Sequence, residues 1–208
     1  MVEYFDIYDE ALNKIGVKAR DDVHRDGDWH CVFHCWVIYR DESGTDYVIA
    51  QKRSANKKIF PEFLDISAAG HYATGETMHD GIREIEEELG LVVNFEDLIP
   101  VGRRVGINTY NGLIDREIAD VFFYICDQPL AHYVYQKEEL AGLIALDVDA
   151  GLRLFDHTIS EMSAPTVGLG QSTVSISLND FVPTIDRYFH KILVLTKRCL
   201  DGEDHLLI

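Results

Sequence analysis

Apolar and polar residues alternate along two neighbouring segments in the first third of the chain, residues 29–40 and 46–53. The segment between them, DESGT, is typical of a turn. This pattern predicts a β-hairpin with a longer connecting loop. We expect a short strand at 63–67 and a glycine-containing loop at 68–76 to follow it.

A second hairpin is predicted around the dipeptide Asn111-Gly112, which separates segments 100–110 and 113–126. Asn-Gly is the dipeptide that best fits a tight two-residue turn. Residues 141–148 are expected to form another strand, and either Asp147 or Asp149 should cap the helix that follows it. We interpret the polar segment 163–175 as a loop.

A long helix is predicted near the end of the chain, opened by Asp180 and Pro183. Apolar residues recur there at alternating steps of four and three, which puts them on one side of a helix. They are Phe181, Ile185, Tyr188, Ile192, Leu195 and Cys199. We interpret this stripe as core packing. Strands mixed with segregated helices predict an α+β or layered αβα domain.

Composition narrows the class of protein. The 208 residues, 47% of them hydrophobic, describe one soluble globular domain or one domain with an appendage. The formal net charge of −17 opposes binding to duplex nucleic acid and to anionic membranes. The start MVEYFDIYDE has acids where a signal peptide has basic residues, and no long apolar window is present, so we expect a cytoplasmic protein. The four cysteines form no CxxC pair and are expected to be free thiols.

The acidic segment 77–89 carries the strongest chemical signal. If it forms a helix, four carboxylates share an arc of roughly 100°, and apolar side chains occupy the opposite side. The carboxylates are those of Asp80, Glu84, Glu87 and Glu88. The apolar side chains are those of Met78, Ile82, Ile85 and Leu89. Only Arg83 supplies a positive charge, so the pattern favours a bound Mg²⁺ or Mn²⁺ over a solvated surface.

Basic residues precede this acidic segment. They are Lys52, Arg53, Lys57 and Lys58. Cations beside a metal-binding face are typical of a site that holds phosphate oxygens between them. We predict that a diphosphate lies between Arg53, Lys57 and the metals. The alternative, an exposed basic loop that only adds solubility, stays open.

Residues 70–91 resemble the Nudix box, G-x5-E-x7-R-E-U-x-E-E-x-G-U, in which U is aliphatic. Residues 83–91 match every specified position, and the departure is that six residues instead of seven separate Glu76 from Arg83. The resemblance implies a Nudix-type αβα sandwich with a mixed sheet, here with a long C-terminal helix. We expect a single domain over 1–208, with an N-terminal strand extension at about 1–28 and a C-terminal helical extension at about 150–208.

Beyond the box, residues 3–148 resemble the branch of Nudix proteins related to type I isopentenyl-diphosphate isomerases. In that branch histidines, an acidic pair and a lysine/arginine pair surround the diphosphate. The resemblance implies these roles for His24, His30, His71, Asp115, Glu117, Arg53 and Lys57. The isomerase's catalytic cysteine is replaced by Ala69, so we expect hydrolysis rather than isomerisation.

What the Nudix resemblance implies is a metal-dependent pyrophosphohydrolase. Its substrate would be a nucleoside diphosphate derivative or a prenyl diphosphate, cleaved by attack of water at phosphorus. The implied ligands of Mg²⁺ or Mn²⁺ are Glu84, Glu87, Glu88 and the backbone carbonyl of Gly70 or Ala69. The implied catalytic residues are Glu84, Glu87, Arg83 and Glu76, with Arg83 holding the loop to the helix. Glu87 is a candidate base, and Glu138 and Glu139 in a later loop are alternatives.

The histidines suggest a second metal site. His30 and His34 are four residues apart on a predicted strand and therefore face the same way. With His24 and His71 they could bind a metal or contact substrate, and ordinary hydrogen-bonded histidines are the alternative. With the acidic pair, the candidate second-metal set is His24, His30, His71, Asp115 and Glu117. The candidate substrate-binding set is Arg53, Lys57, His71 and Glu117.

Two other functions compete with hydrolysis. One is an enzyme like isopentenyl-diphosphate isomerase, which Ala69 weakens. The other is a catalytically silent Nudix module that binds a nucleotide and regulates a partner, which the retained Glu84, Glu87 and Glu88 disfavour. The expected partner is a small diphosphate-containing substrate, and a homodimer is compatible with the sequence.

Overall fold

A mixed sheet organises the protein, described by a computed structural model for residues 2–208. The strands are β1 (Tyr4–Tyr8), β2 (Lys14–Ala19), β3 (Trp29–Arg40), β4 (Asp46–Arg53), β5 (Leu64–Asp65), β6 (Ala68–His71), β7 (Ile99–Tyr110), β8 (Leu113–Ile125), β9 (Leu140–Asp147), β10 (Met162–Val167) and β11 (Thr173–Ile176). The helices are α1 (Arg20–Asp26), α2 (Arg83–Leu89), α3 (Val148–Phe155) and α4 (Tyr188–Leu200). None of the helices formed by residues 2–208 has the length and apolar character needed to cross a membrane.

Strand β3 is the centre of this sheet. It runs parallel to β8 from Trp29 to Ile38, whereas its antiparallel pairing with β4 is confined to the three residues next to the connecting loop. Further from the loop, β3 pairs with β6 and β4 pairs with β5, whereas β9 pairs with β4 from Tyr47 to Arg53. Both long strands of the predicted hairpin are therefore present, but over most of their length they pair with other strands instead of with each other.

Alternate residues of β3 belong to two different cores, as expected for a strand buried on both sides. Val32 and Trp36 pack in a cluster that includes Ile192 and Leu195 of α4. Phe33 and Val37 pack in a second cluster with Ile85 and Leu89 of α2. The sheet thus lies between helices on both faces, which confirms the α+β fold class and its layered arrangement.

The second predicted hairpin is confirmed. Asn111 and Gly112 have φ angles of 49° and 84°, the left-handed region that a tight turn of this kind requires. Strands β7 and β8 pair antiparallel on either side of them. Asp147 rather than Asp149 caps α3, because its side chain accepts a 2.9 Å hydrogen bond from the backbone N–H of Ala150.

Two segments predicted as loops contain strands. Residues 68–71, at the start of the expected glycine loop, form β6 beside β3. Residues 162–167 and 173–176 form the antiparallel pair β10 and β11, so the expected C-terminal helical extension contains a hairpin. Small and polar residues hid this hairpin from the sequence pattern, since only Met162, Ala164 and Ile176 are buried.

Both chemically important helices begin later than predicted. Helix α2 starts at Arg83 after a short 3-10 turn, and Asp80 accepts hydrogen bonds from the backbone and hydroxyl of Thr77 instead of joining the acidic face. Helix α4 starts at Tyr188, so Ile185 lies outside it and is 85% exposed. Phe181 reaches the core from the segment before the helix.

Candidate active site

Most of the candidate site residues identified in the sequence line a cavity of about 770 Å³. It is lined by parts of strands β1, β3, β5, β6, β7 and β8, by helices α1 and α2, by the loop that follows β4, and by the start of α4. The predicted site residues on its wall are His24, Arg53, Lys57, Gly70, His71, Glu76, Arg83, Glu84, Glu87, Glu88, Asp115 and Glu117. Asp80 and Glu138 are not on this wall, and His30 is fully buried behind it.

Glu84 and Glu88 form the buried part of a carboxylate cluster on α2, which we define as Glu84, Glu87 and Glu88. One oxygen of Glu88 accepts hydrogen bonds from the backbone N–H of Ala69 at 3.0 Å and from the Gln51 side chain at 3.2 Å. Burial raises the pKa of Glu88 to about 8 and also raises the pKa of Glu84. Two neighbouring carboxyl groups that resist ionisation in this way are suited to a cation that would share their charge.

Gly70 allows Glu84 to reach the cavity. A Cβ atom at residue 70 would lie 2.0 Å from the carboxyl carbon of Glu84, which is far inside van der Waals contact. The carboxylate therefore rests directly against the backbone of β6. This close approach explains why the box needs glycine here, at a position whose φ angle is ordinary.

Arg83 ties the loop before α2 to the helix, as the sequence predicted. Its guanidinium donates to Glu76 at 3.1 Å and to the backbone carbonyl of His71 at 2.9 Å, and it contacts Glu84. The ion pair between Glu76 and Arg83 therefore forms across the shortened spacing, which contains a 3-10 turn. Glu87 lies 3.7 Å from Arg83 and is the most exposed carboxylate of the cluster, at 57%.

Four side chains from four elements form a second group, the histidine cluster, defined as His24, His30, His71 and Asp115. One potential ligand atom from each lies within 4.8 Å of the others. The Nδ1 atoms of His24 and His30 are paired with backbone carbonyls at 2.9 and 3.0 Å, which leaves their Nε2 atoms directed at the cluster. The ring of His71 stacks on Phe5 with 4.6 Å between centroids.

The inward-facing atoms of the histidine cluster are buried polar atoms that find no hydrogen-bond partner within residues 2–208. These are the Nε2 atoms of His24, His30 and His71 and the Oδ1 atom of Asp115. Burial raises the pKa of Asp115, but its contacts with His24 and His30 lower it overall below the ordinary value. Burial lowers the pKa of His71 well below its ordinary value. Imidazole nitrogens around one carboxylate are the donor set of a divalent transition metal.

Glu117 and His34 lie apart from this cluster, although the sequence grouped them with it. The Nε2 atom of His34 lies 3.9 Å from a carboxylate oxygen of Glu117, and its Nδ1 atom lies 3.1 Å from the hydroxyl of Tyr188. Burial, followed by the charge of Arg104, lowers the pKa of His34 to about 3. Burial and the nearby Asp115 raise the pKa of Glu117 well above its ordinary value.

The basic residues are already engaged with protein groups. Arg53 donates to Asp65 at 2.6 Å and to the backbone carbonyl of Ile59 at 2.9 Å. Lys57 forms an ion pair with Glu139, one of the two candidate bases from the later loop. These contacts fix the loop after β4 against the cavity, so a bound diphosphate would have to share or replace them.

Sequence reasoning missed three contributors to the site. Gln51 of β4 donates a hydrogen bond to Glu88. Its side chain is buried, and a glutamine at a buried position of the alternating strand pattern was the signal that could have identified it. Arg104 and Tyr188 line the cavity from β7 and α4. The stripe that includes Tyr188 was interpreted as core, and no local pattern distinguishes a core tyrosine from one that faces a cavity.

No protein-family model matches the chain. A curated Nudix hydrolase of Clostridium acetobutylicum, described as uncharacterized, is 34% identical over 202 residues, which cover 92% of this chain and 95% of that protein. The chain belongs to the Nudix hydrolase family. An isopentenyl-diphosphate Delta-isomerase of Saccharopolyspora erythraea is 30% identical over 65% of this Nudix chain and 68% of that enzyme.

A solved structure supports the same fold. The Nudix hydrolase from Alicyclobacillus acidocaldarius matches with a TM-score of 0.54 and 14% identity, over 83% of this chain and 93% of that one. At this identity the likeness concerns the fold alone. The Nudix arrangement of a sheet between helices is therefore shared.

Proposed function

We propose that this Nudix protein is a divalent-metal-dependent pyrophosphohydrolase that cleaves a diphosphate-linked small molecule by attack of water at phosphorus. One observation carries the proposal: the carboxylate cluster and three members of the histidine cluster, His24, His71 and Asp115, line the same cavity as Arg53 and Lys57. Metal-binding groups next to cations suit a diphosphate. We take the substrate to be a nucleoside diphosphate derivative or a prenyl diphosphate.

The two clusters suit different cations. The oxygen atoms of Glu84, Glu87 and Glu88, with the carbonyl of Gly70 nearby, suit Mg²⁺ or Mn²⁺. The nitrogen-rich histidine cluster suits a transition metal such as Mn²⁺ or Zn²⁺, and its unpartnered Nε2 atoms support this assignment. When bound, such cations neutralise charge on the diphosphate and make water a better nucleophile.

The remaining roles fall to side chains of this chain. Glu87 lies on the cavity wall and is the most exposed carboxylate of its cluster, so it is our choice for the base that accepts a proton from the attacking water. Arg83 keeps Glu84 and the Glu76 loop in position. Arg53 and Lys57 would orient the diphosphate by exchanging part of their contacts with Asp65 and Glu139.

The test is hydrolysis of a panel of diphosphates in ¹⁸O-labelled water with Mg²⁺ or Mn²⁺. We expect metal-dependent release of two phosphate-containing products, one of them labelled at phosphorus. Removal of the metals with a chelator should abolish the reaction, and their return should restore it. Tight binding of a nucleotide without turnover under every metal condition would instead indicate a silent regulatory module.

An isomerase is the second candidate, because curated isomerases are among the relatives. Isomerisation of isopentenyl diphosphate requires a proton donor and a proton acceptor on either side of the alkene. The methyl group of Ala69 can serve as neither. Incubation with Mg²⁺ and isopentenyl diphosphate in D₂O should yield no deuterated dimethylallyl diphosphate, and its formation at enzymatic rates would favour the isomerase.

A further inference from the structure

We infer that the inner end of the cavity is a binding subsite for a hydroxyl group on the organic part of the substrate. His34 and Glu117 would bind this hydroxyl group, and Tyr188 would orient His34. This inference rests on the proposed function and narrows its substrate class. It assigns the deep wall of the cavity, between β3, β8 and α4, to recognition rather than to metal binding.

The hydrogen bonds around Tyr188 determine which nitrogen of His34 carries the proton. The indole N–H of Trp36 can only donate, and it donates to the Tyr188 hydroxyl oxygen at 2.9 Å. The hydroxyl hydrogen is then free to be donated to Nδ1 of His34 at 3.1 Å. If Nδ1 of His34 instead donated to Tyr188, the buried hydroxyl hydrogen of Tyr188 would have no acceptor. The hydrogen bonds therefore run from Trp36 to Tyr188 and from Tyr188 to His34.

This direction makes His34 a donor toward the cavity. With Nδ1 accepting, the proton of the neutral ring is on Nε2, and Nε2 faces Glu117. The separation of 3.9 Å between Nε2 and the Glu117 oxygen is too long for a direct hydrogen bond. A donor and an acceptor held this close together can both reach one oxygen atom, and a hydroxyl is the group that accepts from one and donates to the other.

Charged and aromatic contacts hold this subsite rigid. Arg104 forms a two-pronged pair with Asp186, with both nitrogen–oxygen distances 2.9 Å. Its guanidinium also stacks on the ring of Tyr188 at 4.2 Å. Arg104 is buried on β7, whereas Asp186 precedes α4, so the pair fixes the start of α4 against the sheet. A subsite fixed in this way is preorganised, which is how hydrogen-bond donors discriminate between ligands.

The proposed substrates, nucleoside diphosphate derivatives and prenyl diphosphates, differ in whether their organic part carries hydroxyl groups. A prenyl chain has no oxygen to place between His34 and Glu117, so binding it would leave both groups buried without a partner. A sugar or nucleoside group supplies hydroxyls. The subsite therefore favours diphosphates with a hydroxylated organic group over hydrocarbon diphosphates.

The test is calorimetric binding of two non-hydrolysable probes in the presence of Mg²⁺, the methylene-bridged analogues of UDP-glucose and of geranyl diphosphate. We expect the wild-type protein to bind the UDP-glucose analogue at least about 10-fold more tightly. His34→Leu should weaken that binding about 10-fold and leave the affinity for the geranyl analogue within about 2-fold. His34→Gln, whose amide retains an N–H donor, should restore most of the loss.

Two further variants separate recognition from folding. Tyr188→Phe keeps the ring in place but removes the hydroxyl that orients His34, so it should weaken the UDP-glucose analogue selectively. Val32→Ala enlarges the same wall without touching the polar network, so it should change both affinities in the same direction. Thermal melts of each variant show that it is folded.

Three results would overturn the inference: tighter binding of the geranyl analogue, equal effects of His34→Leu on both probes, or no binding of either probe. None of them depends on catalysis. The hydrolysis assay in ¹⁸O-labelled water tests the proposed function separately, so a hydrolase with another preference and a hydroxyl-binding protein without hydrolase activity can be told apart.

Discussion

The carboxylate cluster and the histidine cluster face one cavity, yet they are built in different ways. Glu84, Glu87 and Glu88 come from two turns of one short helix. The four histidine-cluster residues come from α1, β3, β6 and β8, which lie up to about ninety positions apart in the sequence. The carboxylates are supported by protein donors such as Ala69 and Gln51, whereas the inner atoms of the histidine cluster lack partners within residues 2–208.

The difference separates two ways of bringing potential metal-binding side chains together. The carboxylate cluster is a local motif whose shape depends on helix geometry and on the missing side chain at Gly70. The histidine cluster is a tertiary group, in which backbone carbonyls orient the rings of His24 and His30 and the potential ligand atoms converge from four elements. The first should tolerate changes in distant elements, and the second should depend on all four.

The largest effect is expected from Glu88→Gln. It removes a metal ligand at nearly constant volume and keeps an oxygen for the Ala69 N–H, so the fold should survive while kcat/KM falls by about 10³. Steady-state kinetics at saturating Mg²⁺ measure the loss. Glu86→Gln, an exposed change on the same helix, is the matched control. Near wild-type turnover in Glu88→Gln would remove the carboxylate cluster from the mechanism.

Asp115→Asn should abolish the one negative charge of the histidine cluster without changing its size. We expect the affinity for Co²⁺, followed by its visible absorption, to fall by more than about 10². Asp120→Asn, on the same strand but paired with Arg103, is the control and should bind Co²⁺ normally. Unchanged Co²⁺ affinity in Asp115→Asn would show that these side chains do not form a metal site.

Gly70→Ala tests the strand that connects the clusters, since His71 belongs to one and Gly70 contacts the other. The added methyl collides with the end of a flexible side chain, so Glu84 can swing away at small cost in stability. We expect the melting temperature to change little while kcat/KM falls by about 10², because a ligand is displaced. A variant that unfolds instead would show that the carboxylate is locked in place.

In the metal-free protein, the two clusters should respond to pH with opposite signs. Glu88 has a raised pKa, so its contribution to stability is present below about pH 4.5 and is lost as the pH rises toward 8. His71 has a lowered pKa, so its contribution is present above about pH 6.5 and is lost as the pH falls. Each slope is at most roughly 1.4 kcal/mol per pH unit.

Urea unfolding of the metal-free protein at several pH values measures both slopes. Glu88→Gln should remove the loss of stability at pH 8, and His71→Asn should remove the loss at pH 5. If both variants keep the wild-type pH profile, other groups control the response of the site to acid and base.

The carboxylate cluster could be predicted from sequence because its residues are neighbours along one helix. The predictions that were wrong concerned residues whose structure depends on other parts of the chain. Asp80 has helical spacing, yet it forms a local turn with Thr77 because the helix begins three residues later. Residues 68–71 looked like a loop because the strand that pairs with them, β3, lies more than thirty positions away.

The histidine cluster could be predicted in part, since family resemblance indicated its members. Periodicity on β3 grouped His34 with His30, because residues four apart share a face. In the structure, His34 forms a hydrogen bond with Tyr188, which lies 154 positions later in the chain. No local sequence pattern indicates that contact. A sequence therefore reveals which residues share a face of a strand, but the element that covers that face decides what they bind.

The parallel pairing of β3 with β8 also bears on how the protein folds. Each residue of β3 that pairs with β8 joins a partner 87 residues later in the sequence, and closing so long a loop costs entropy before any contact compensates for it. His30 and Asp115 lie on these two strands, so the nascent chain cannot assemble the histidine cluster until β8 has been synthesised and docked. This group is therefore completed at a late stage of folding, after the helix carrying Glu84 and Glu88 has been synthesised.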